Sequence, residues 1–146
     1  MFDYAMMKKI LFNLSPENAH HVAEFFFKNG ATYTPFILAK IAEEFFIQDK
    51  RLEQQLFGKT FLNPLGLGAG FDKNCTMIKM LTALGFGHIE YGTITPLPQS
   101  GNAKPRLFRF VEEESLQNAM GFNNEGASKI AKRMENIYPF ATPLGA

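Results

Sequence analysis

The chain contains no tryptophan and, in 146 residues, a single cysteine, Cys75. One thiol closes no intramolecular disulfide, and without a CxxC pair or histidine-rich company it offers no zinc site. A disulfide-stapled miniprotein and a structural metal module are both excluded, and a reducing compartment is expected. Charge of one sign is lacking too. Fifteen basic against 14 acidic side chains leave a net charge of +1, too little for the basic face that nucleic-acid binding requires. No apolar run approaches the roughly 20 residues that span a bilayer. Lys8 and Lys9 precede Ile10, Leu11 and Phe12, but Asn13 and Ser15-Pro16-Glu17 end that run well short of a signal-peptide core. The chain is expected to stay on the cytoplasmic side. What remains, at 46% hydrophobic and 20% charged, is the composition of one globular domain or part of one, not of a disordered tail or a collagen-like fibre.

Phenylalanine, by contrast, is abundant, and ten of the 16 lie at or before Phe61. Ser15-Pro16-Glu17 reads as a helix start, a hydroxyl cap followed by proline at the first helical position, where its missing N–H is harmless. Gly30 is expected to end that helix. Ala19, Val22, Ala23 and Phe26 fall on one stripe at helical spacing and are expected to form its buried face. Phe25 and Phe27 lie off that stripe, because consecutive residues are about 100° apart around a helix. A second helix over 35–47 carries Phe36, Ile37, Phe45 and Phe46. The two make a helical hairpin, either docked on the α/β part of the chain or presenting an apolar face to lipid or a greasy ligand. Glu17, Glu24, Glu43 and Glu44 count against strong attraction to anionic lipid, so any membrane contact is expected to be mainly hydrophobic.

The style changes near 57–60. A short apolar run over 64–67 ends in Gly68-Ala69-Gly70, and Met77, Ile78, Met80, Leu81 and Leu84 carry a helix closed by Gly85. A second strand over 88–91 leads into a proline-rich loop. Residues 107–111 and 115–119 read as a hairpin, 127–136 as a helix, and Pro143-Leu144-Gly145 as the start of another strand. Strands alternating with helices predict a parallel sheet of α/β topology.

Three strand ends carry residues suited to chemistry. Gly68-Ala69-Gly70-Phe71-Asp72-Lys73 lets backbone amides approach a ring or phosphate and adds a cation, or is simply a tight turn with a surface lysine. In Tyr91-Gly92-Thr93-Ile94-Thr95-Pro96, Thr93 either binds a ligand or caps the loop. Asn118-Ala119-Met120-Gly121-Phe122-Asn123-Asn124 gathers three amides that serve a planar amide or carboxylate ligand, or turn chemistry. Isolated histidines such as His20, His21 and His88 are expected to be structural or solvated, and no Ser-His-Asp or paired-carboxylate arrangement is present.

In order along the chain, Asn63-Pro64-Leu65-Gly66-Leu67, Gly70-Phe71-Asp72-Lys73, Gly92-Thr93-Ile94-Thr95-Pro96, Gly101-Asn102, Lys104-Pro105-Arg106-Leu107-Phe108-Arg109 and Asn118-Ala119-Met120-Gly121-Phe122-Asn123-Asn124 resemble the signature blocks of the dihydroorotate dehydrogenases. The amino-terminal helical pair and the Gly-Phe-Asp-Lys form of the first loop resemble the quinone-dependent, membrane-associated class rather than the soluble class.

The resemblance implies oxidation of dihydroorotate to orotate in pyrimidine synthesis, with FMN as redox cofactor and ubiquinone or menaquinone as acceptor. It implies an α/β fold in which residues 1–57 form the hairpin at the mouth of a quinone tunnel and 58–146 the first part of a (β/α)8 TIM barrel, left incomplete. Ala69, Gly70, Phe71, Asp72, Lys73 and Thr93 would contact FMN. Lys73, Asn118, Ala119, Met120, Gly121 and Phe122 would contact the substrate, and His20 and Arg109 the quinone head group. The chain is expected to sit peripherally on the cytoplasmic face of the cell membrane. A complete barrel takes about 250 residues, so the serine base and closing phosphate loops are expected beyond Ala146. The 146-residue chain is then an amino-terminal fragment holding no catalytic base, inactive alone and a poor binder of FMN. The alternatives are a soluble-class enzyme and a non-catalytic quinone- or lipid-binding piece.

Overall fold

The computed structural model describes residues 4–146; the first three residues of the expected 1–57 unit lie outside that range. Three helices come first: α1 (Tyr4–Phe12), α2 (Pro16–Tyr33) and α3 (Pro35–Phe45). The run ending at Phe12, read only as too short for a signal peptide, is itself helical. Ser15 caps α2 as its sequence predicts, its hydroxyl accepting from Asn18 N–H at 3.4 Å with Pro16 in the first turn.

Gly30 does not end α2. The helix runs on to Tyr33, and a Cβ at Gly30 would lie 3.2 Å from Met80 Cε, so the glycine serves close packing rather than termination. Thr34 alone separates α2 from α3, and its N–H and hydroxyl both donate to the Gly30 carbonyl, at 3.1 and 2.7 Å. The expected buried stripe is also rotated. Phe26 is 64% exposed and Phe25 62%, whereas Phe27 packs against the core.

A β-hairpin comes next, β1 (Gln54–Leu56) with β2 (Lys59–Phe61), where the sequence suggested only a change of style. Its two-residue turn, Phe57-Gly58, has positive φ at both positions, as a tight hairpin with right-handed strand twist requires. The parallel sheet is built from β3 (Gly66–Leu67), β4 (His88–Glu90) and β7 (Leu144–Gly145), in the order β3-β4-β7. Helix α4 (Ile78–Ala83) connects β3 to β4. Gly85 lies just beyond it at φ 90, and a Cβ there would lie 2.6 Å from the Phe45 carbonyl oxygen, so only glycine lets the end of α3 approach this turn.

Between β4 and β7 the chain forms the antiparallel pair β5 (Leu107–Phe110) and β6 (Ser115–Asn118), then α5 (Ala127–Glu135). The core is small. Met77 and Leu81 from the α4 region, Ile89 of β4 and Ile130 of α5 are the large residues withdrawn from solvent, with Phe27 and Leu84 against them. The α/β alternation predicted from the sequence is present.

Candidate active site

Two backbone hydrogen bonds bring the loops after β3 and β4 together at the carboxyl edge of the sheet, where α/β folds place their ligands. Gly70 N–H donates to the Gly92 carbonyl at 2.9 Å, and Gly92 N–H to the Asp72 carbonyl at 3.0 Å. A third segment, 118–122, leaves β6 and is fastened to the loop before β5. Ala119 N–H donates to the Arg106 carbonyl at 2.9 Å, and Asn102 N–H to the Met120 carbonyl at 3.1 Å.

These loops enclose a cleft of about 580 Å³. Ala69, Gly70, Phe71 and Lys73 line it from the first loop, Thr93 from the second, Asn118, Ala119, Met120, Gly121 and Phe122 from the third, and His20 from α2. Residues separated by half the chain thus share one hollow.

Asp72 and Arg109 stand elsewhere. Asp72 is fully buried, and its carboxylate accepts from the backbone N–H groups of Asn74, Thr76 and Met77 at 3.3, 2.9 and 2.8 Å. It therefore fastens the loop between β3 and α4 through that loop's own backbone donors and is not among the residues that line the cleft. Arg109 borders a neighbouring cavity of about 620 Å³. Its guanidinium lies 4.1 Å from the centre of the Phe12 ring, and its Nη1 donates to the Leu14 carbonyl at 3.4 Å.

The two cavities share a wall of His20, Phe71, Leu107 and Leu116. His20 stands edge-on to Phe71, ring centres 5.1 Å apart. Burial and then the nearby Lys73 ammonium push the His20 imidazole below the usual histidine range, which keeps it neutral at pH 7. Lys73, half-buried, donates to the Gly70 carbonyl. Burial lowers its pKa, with Glu24 opposing and Arg106 adding to the fall. A partly desolvated cation at a concave, glycine-lined wall is an anion-seeking group.

Two charged residues of the site carried no role in the sequence. Glu17, read in the sequence only as one of four acids that count against attraction to anionic lipid, is buried, and so is Arg106. Arg106 Nε and Nη2 donate to Glu17 Oε1 at 3.1 and 2.8 Å, and Lys104 Nζ lies 3.3 Å from the same oxygen. Burial draws the Glu17 carboxyl upward, but the hydrogen bonds and charges of Arg106 and Lys104 hold it below the usual range. Asn123 also lines the cleft, with its Oδ1 buried and without a hydrogen-bond partner among the described residues. Asn123 is one of the three amides that the third block gathers, so the sequence had pointed to it. No such signal existed for the Glu17–Arg106 pair.

Comparison with known proteins gives the family. A curated relative from Nitratiruptor sp., named dihydroorotate dehydrogenase (quinone), is 58% identical over 143 residues, covering 98% of this chain and 40% of its own length. One of the same name from Sulfurimonas denitrificans is 51% identical, covering 99% of the chain and 41% of the relative. The chain thus spans about 40% of the length of the curated relatives it matches.

Among solved structures, DHODH of Eimeria tenella in complex with ferulenol superposes with a TM-score of 0.73 at 30% identity, over 93% of this chain and 38% of that one. The ligand-free form gives 0.70 at 35% identity, over 84% and 32%. With residues 51–141 matching the sequence profile of dihydroorotate dehydrogenase as well, the chain belongs to the dihydroorotate dehydrogenase family.

Proposed function

We propose that this chain supplies the flavin- and substrate-facing loops, and the quinone entrance, of a quinone-dependent dihydroorotate dehydrogenase. The observation that carries the reading is the convergence of Ala69–Lys73, Thr93 and 118–122 on one cleft that shares its His20–Phe71 wall with a second cavity bordered by Arg109. A reaction in two halves, one per cavity, needs two adjoining sites with a thin partition.

The residues present fit FMN. The cleft is within the range of cofactor sites, roughly 300–1,000 Å³. A Cβ at Gly68 or Gly70 would meet nothing within 4 Å, so the backbone there is open to a flat ring. Asn123 Oδ1 awaits a donor. When bound, FMN supplies the hydride acceptor, and the protein positions it and tunes its surroundings. Ala69, Gly70 and Thr93 would hold it. Lys73 places a fixed positive charge where the carboxylate of dihydroorotate binds and where negative charge builds during oxidation. Asn118 and Asn123 offer amides to the pyrimidine ring. His20, neutral, and Phe71 separate substrate from acceptor and keep water out of the partition. Arg109, braced by Phe12 and the Leu14 carbonyl, presents donors to a quinone carbonyl.

On this reading, helices α1 to α3 within the 1–57 part meet the membrane, peripherally and on the cytoplasmic face, and 58–146 forms the first units of a (β/α)8 barrel; the β1–β2 hairpin straddles the boundary expected at 57–58. Among the described residues no helix is long and apolar enough to cross a membrane. The experiment is a chimaera in which residues 1–146 replace the matching segment of the Nitratiruptor relative. It should bind FMN and reduce a soluble quinone analogue with dihydroorotate. Arg109→Ala should slow flavin reoxidation by quinone about tenfold or more while leaving flavin reduction nearly unchanged, as expected for loss of a charge-assisted hydrogen bond to the quinone. Equal losses in both halves would remove Arg109 from the quinone site, and an inactive chimaera would refute the reading.

A further inference from the structure

We propose that Glu17, acting through Arg106, is a positioning residue for the substrate-facing wall of the cleft, so that docking of α2 sets the affinity for dihydroorotate. This rests on the proposed function.

The Arg106 guanidinium is shared between two parts of the molecule. Nε and Nη2 engage Glu17 Oε1 on the first turn of α2 at 3.1 and 2.8 Å, while Nη1 donates to the carbonyls of Ser100 and Asn102 at 2.7 and 3.0 Å. A planar fork with five donors in fixed directions holds a helix and a loop at once, a geometry that the compact, rotating ammonium of lysine does not reproduce. The loop so held then carries the wall. Asn102 gives its N–H to the Met120 carbonyl at 3.1 Å and its Nδ2 to the Ala119 carbonyl at 2.9 Å, and the Arg106 carbonyl accepts from Ala119 N–H at 2.9 Å.

Gly101 makes the approach feasible: at φ 76, a Cβ would fall 2.2 Å from the Met120 carbonyl oxygen and 2.8 Å from Arg106 Nη1. The hydrogen bonds and ion pairs from α2 to 119–120 thus meet at Arg106, beside Glu17's own place in the cleft wall. Without the Glu17 carboxylate, Arg106 becomes a buried cation with carbonyl partners and the exposed Lys104 beside it. It would then swing toward water and release Ser100 and Asn102.

The test uses the chimaera. Glu17→Gln keeps the shape and removes the charge; Arg106→Lys keeps the charge and removes the fork. Both should raise KM for dihydroorotate and the Kd for orotate, read from the flavin spectrum, about tenfold or more. Quinone-driven reoxidation should stay nearly unchanged, and amide exchange at Asn102 and Ala119 should quicken. Unchanged substrate affinity with a lowered melting temperature would reduce the pair to a structural clasp and overturn the proposal, as would a loss falling on reoxidation instead. Glu17→Gln, being isosteric, keeps the test open if Arg106→Lys fails to fold. Active wild-type chimaera with unaffected variants counts against this inference alone, whereas inactive wild type counts against the functional reading.

Discussion

Cys75 shows how a residue's surroundings decide whether its chemistry is available. At 2% exposure it belongs to the core, packed with Met77 and Leu81, and burial, reinforced by Asp72, pushes its thiol up to about 12. The nucleophile is the thiolate, so at pH 8 the native thiol should be inert. In the chimaera, the peptide containing Cys75 should take up no N-ethylmaleimide until denaturant is added; rapid labelling of the native protein would contradict this placement. The same shift has a stability consequence. Between the ordinary value of 9.0 and about 12, the unfolded chain releases a proton that the folded chain keeps. Stability should therefore fall as pH rises through that window. Asp72 is similar: a carboxylate in a ligand-like motif whose oxygens are already taken by backbone donors.

At the scale of elements, α2 explains both what was legible and what was not. Its start could be read from Ser15-Pro16, because capping is local chemistry. Its docking face could not. The contacts fall on Glu17 with Arg106, His20 on Phe71, Glu24 Oε1 accepting from Thr76 at 3.1 Å, Phe27 in the core and Gly30 beside Met80. That is one helical stripe, but two of its members are acids and one is a glycine, so apolar periodicity selected a neighbouring stripe ending at Phe26. The strand-end loops were legible because glycine and asparagine mark turns wherever they fall. The Glu17–Arg106 pair, 89 residues apart, has no local signature.

The rotation yields a prediction. Phe25, Phe26 and Phe36 are more than 60% exposed and, on the proposed reading, face lipid. Replacing Phe25 and Phe26 with serine in the chimaera should cut partitioning into phosphatidylcholine vesicles about tenfold or more, since each phenylalanine contributes roughly 1.5–3 kcal/mol on burial. The melting temperature should barely move. Phe27→Ala should do the reverse, destabilising by about 2–4 kcal/mol as a core truncation and sparing vesicle binding. Vesicle binding indifferent to Phe25 and Phe26 would count against the membrane assignment.

For the molecule as a whole, the balance of buried and exposed apolar surface is the governing quantity. Among the described residues, nine hydrophobic side chains are buried while 24 large ones are exposed, including Phe57 at 94%. The parallel sheet has three strands, so β3 and β7 each pair on one side only. Closed barrels leave no such edges, and open edges beside apolar surface invite strand addition by other chains. Residues 1–146 expressed alone should therefore self-associate in size-exclusion chromatography and enhance the fluorescence of a hydrophobic dye. They should bind FMN weakly and leave dihydroorotate unoxidised, because the segment spans about 40% of the length of the curated relatives it matches and its sheet edges are open. Co-expression with the remaining part of the Nitratiruptor relative, as a separate chain, should suppress self-association and restore flavin binding. A monomeric 1–146 that binds FMN one-to-one and turns over dihydroorotate would show that the cleft between Lys73, Thr93 and Asn118 is sufficient by itself, and that the exposed sheet edges carry no penalty.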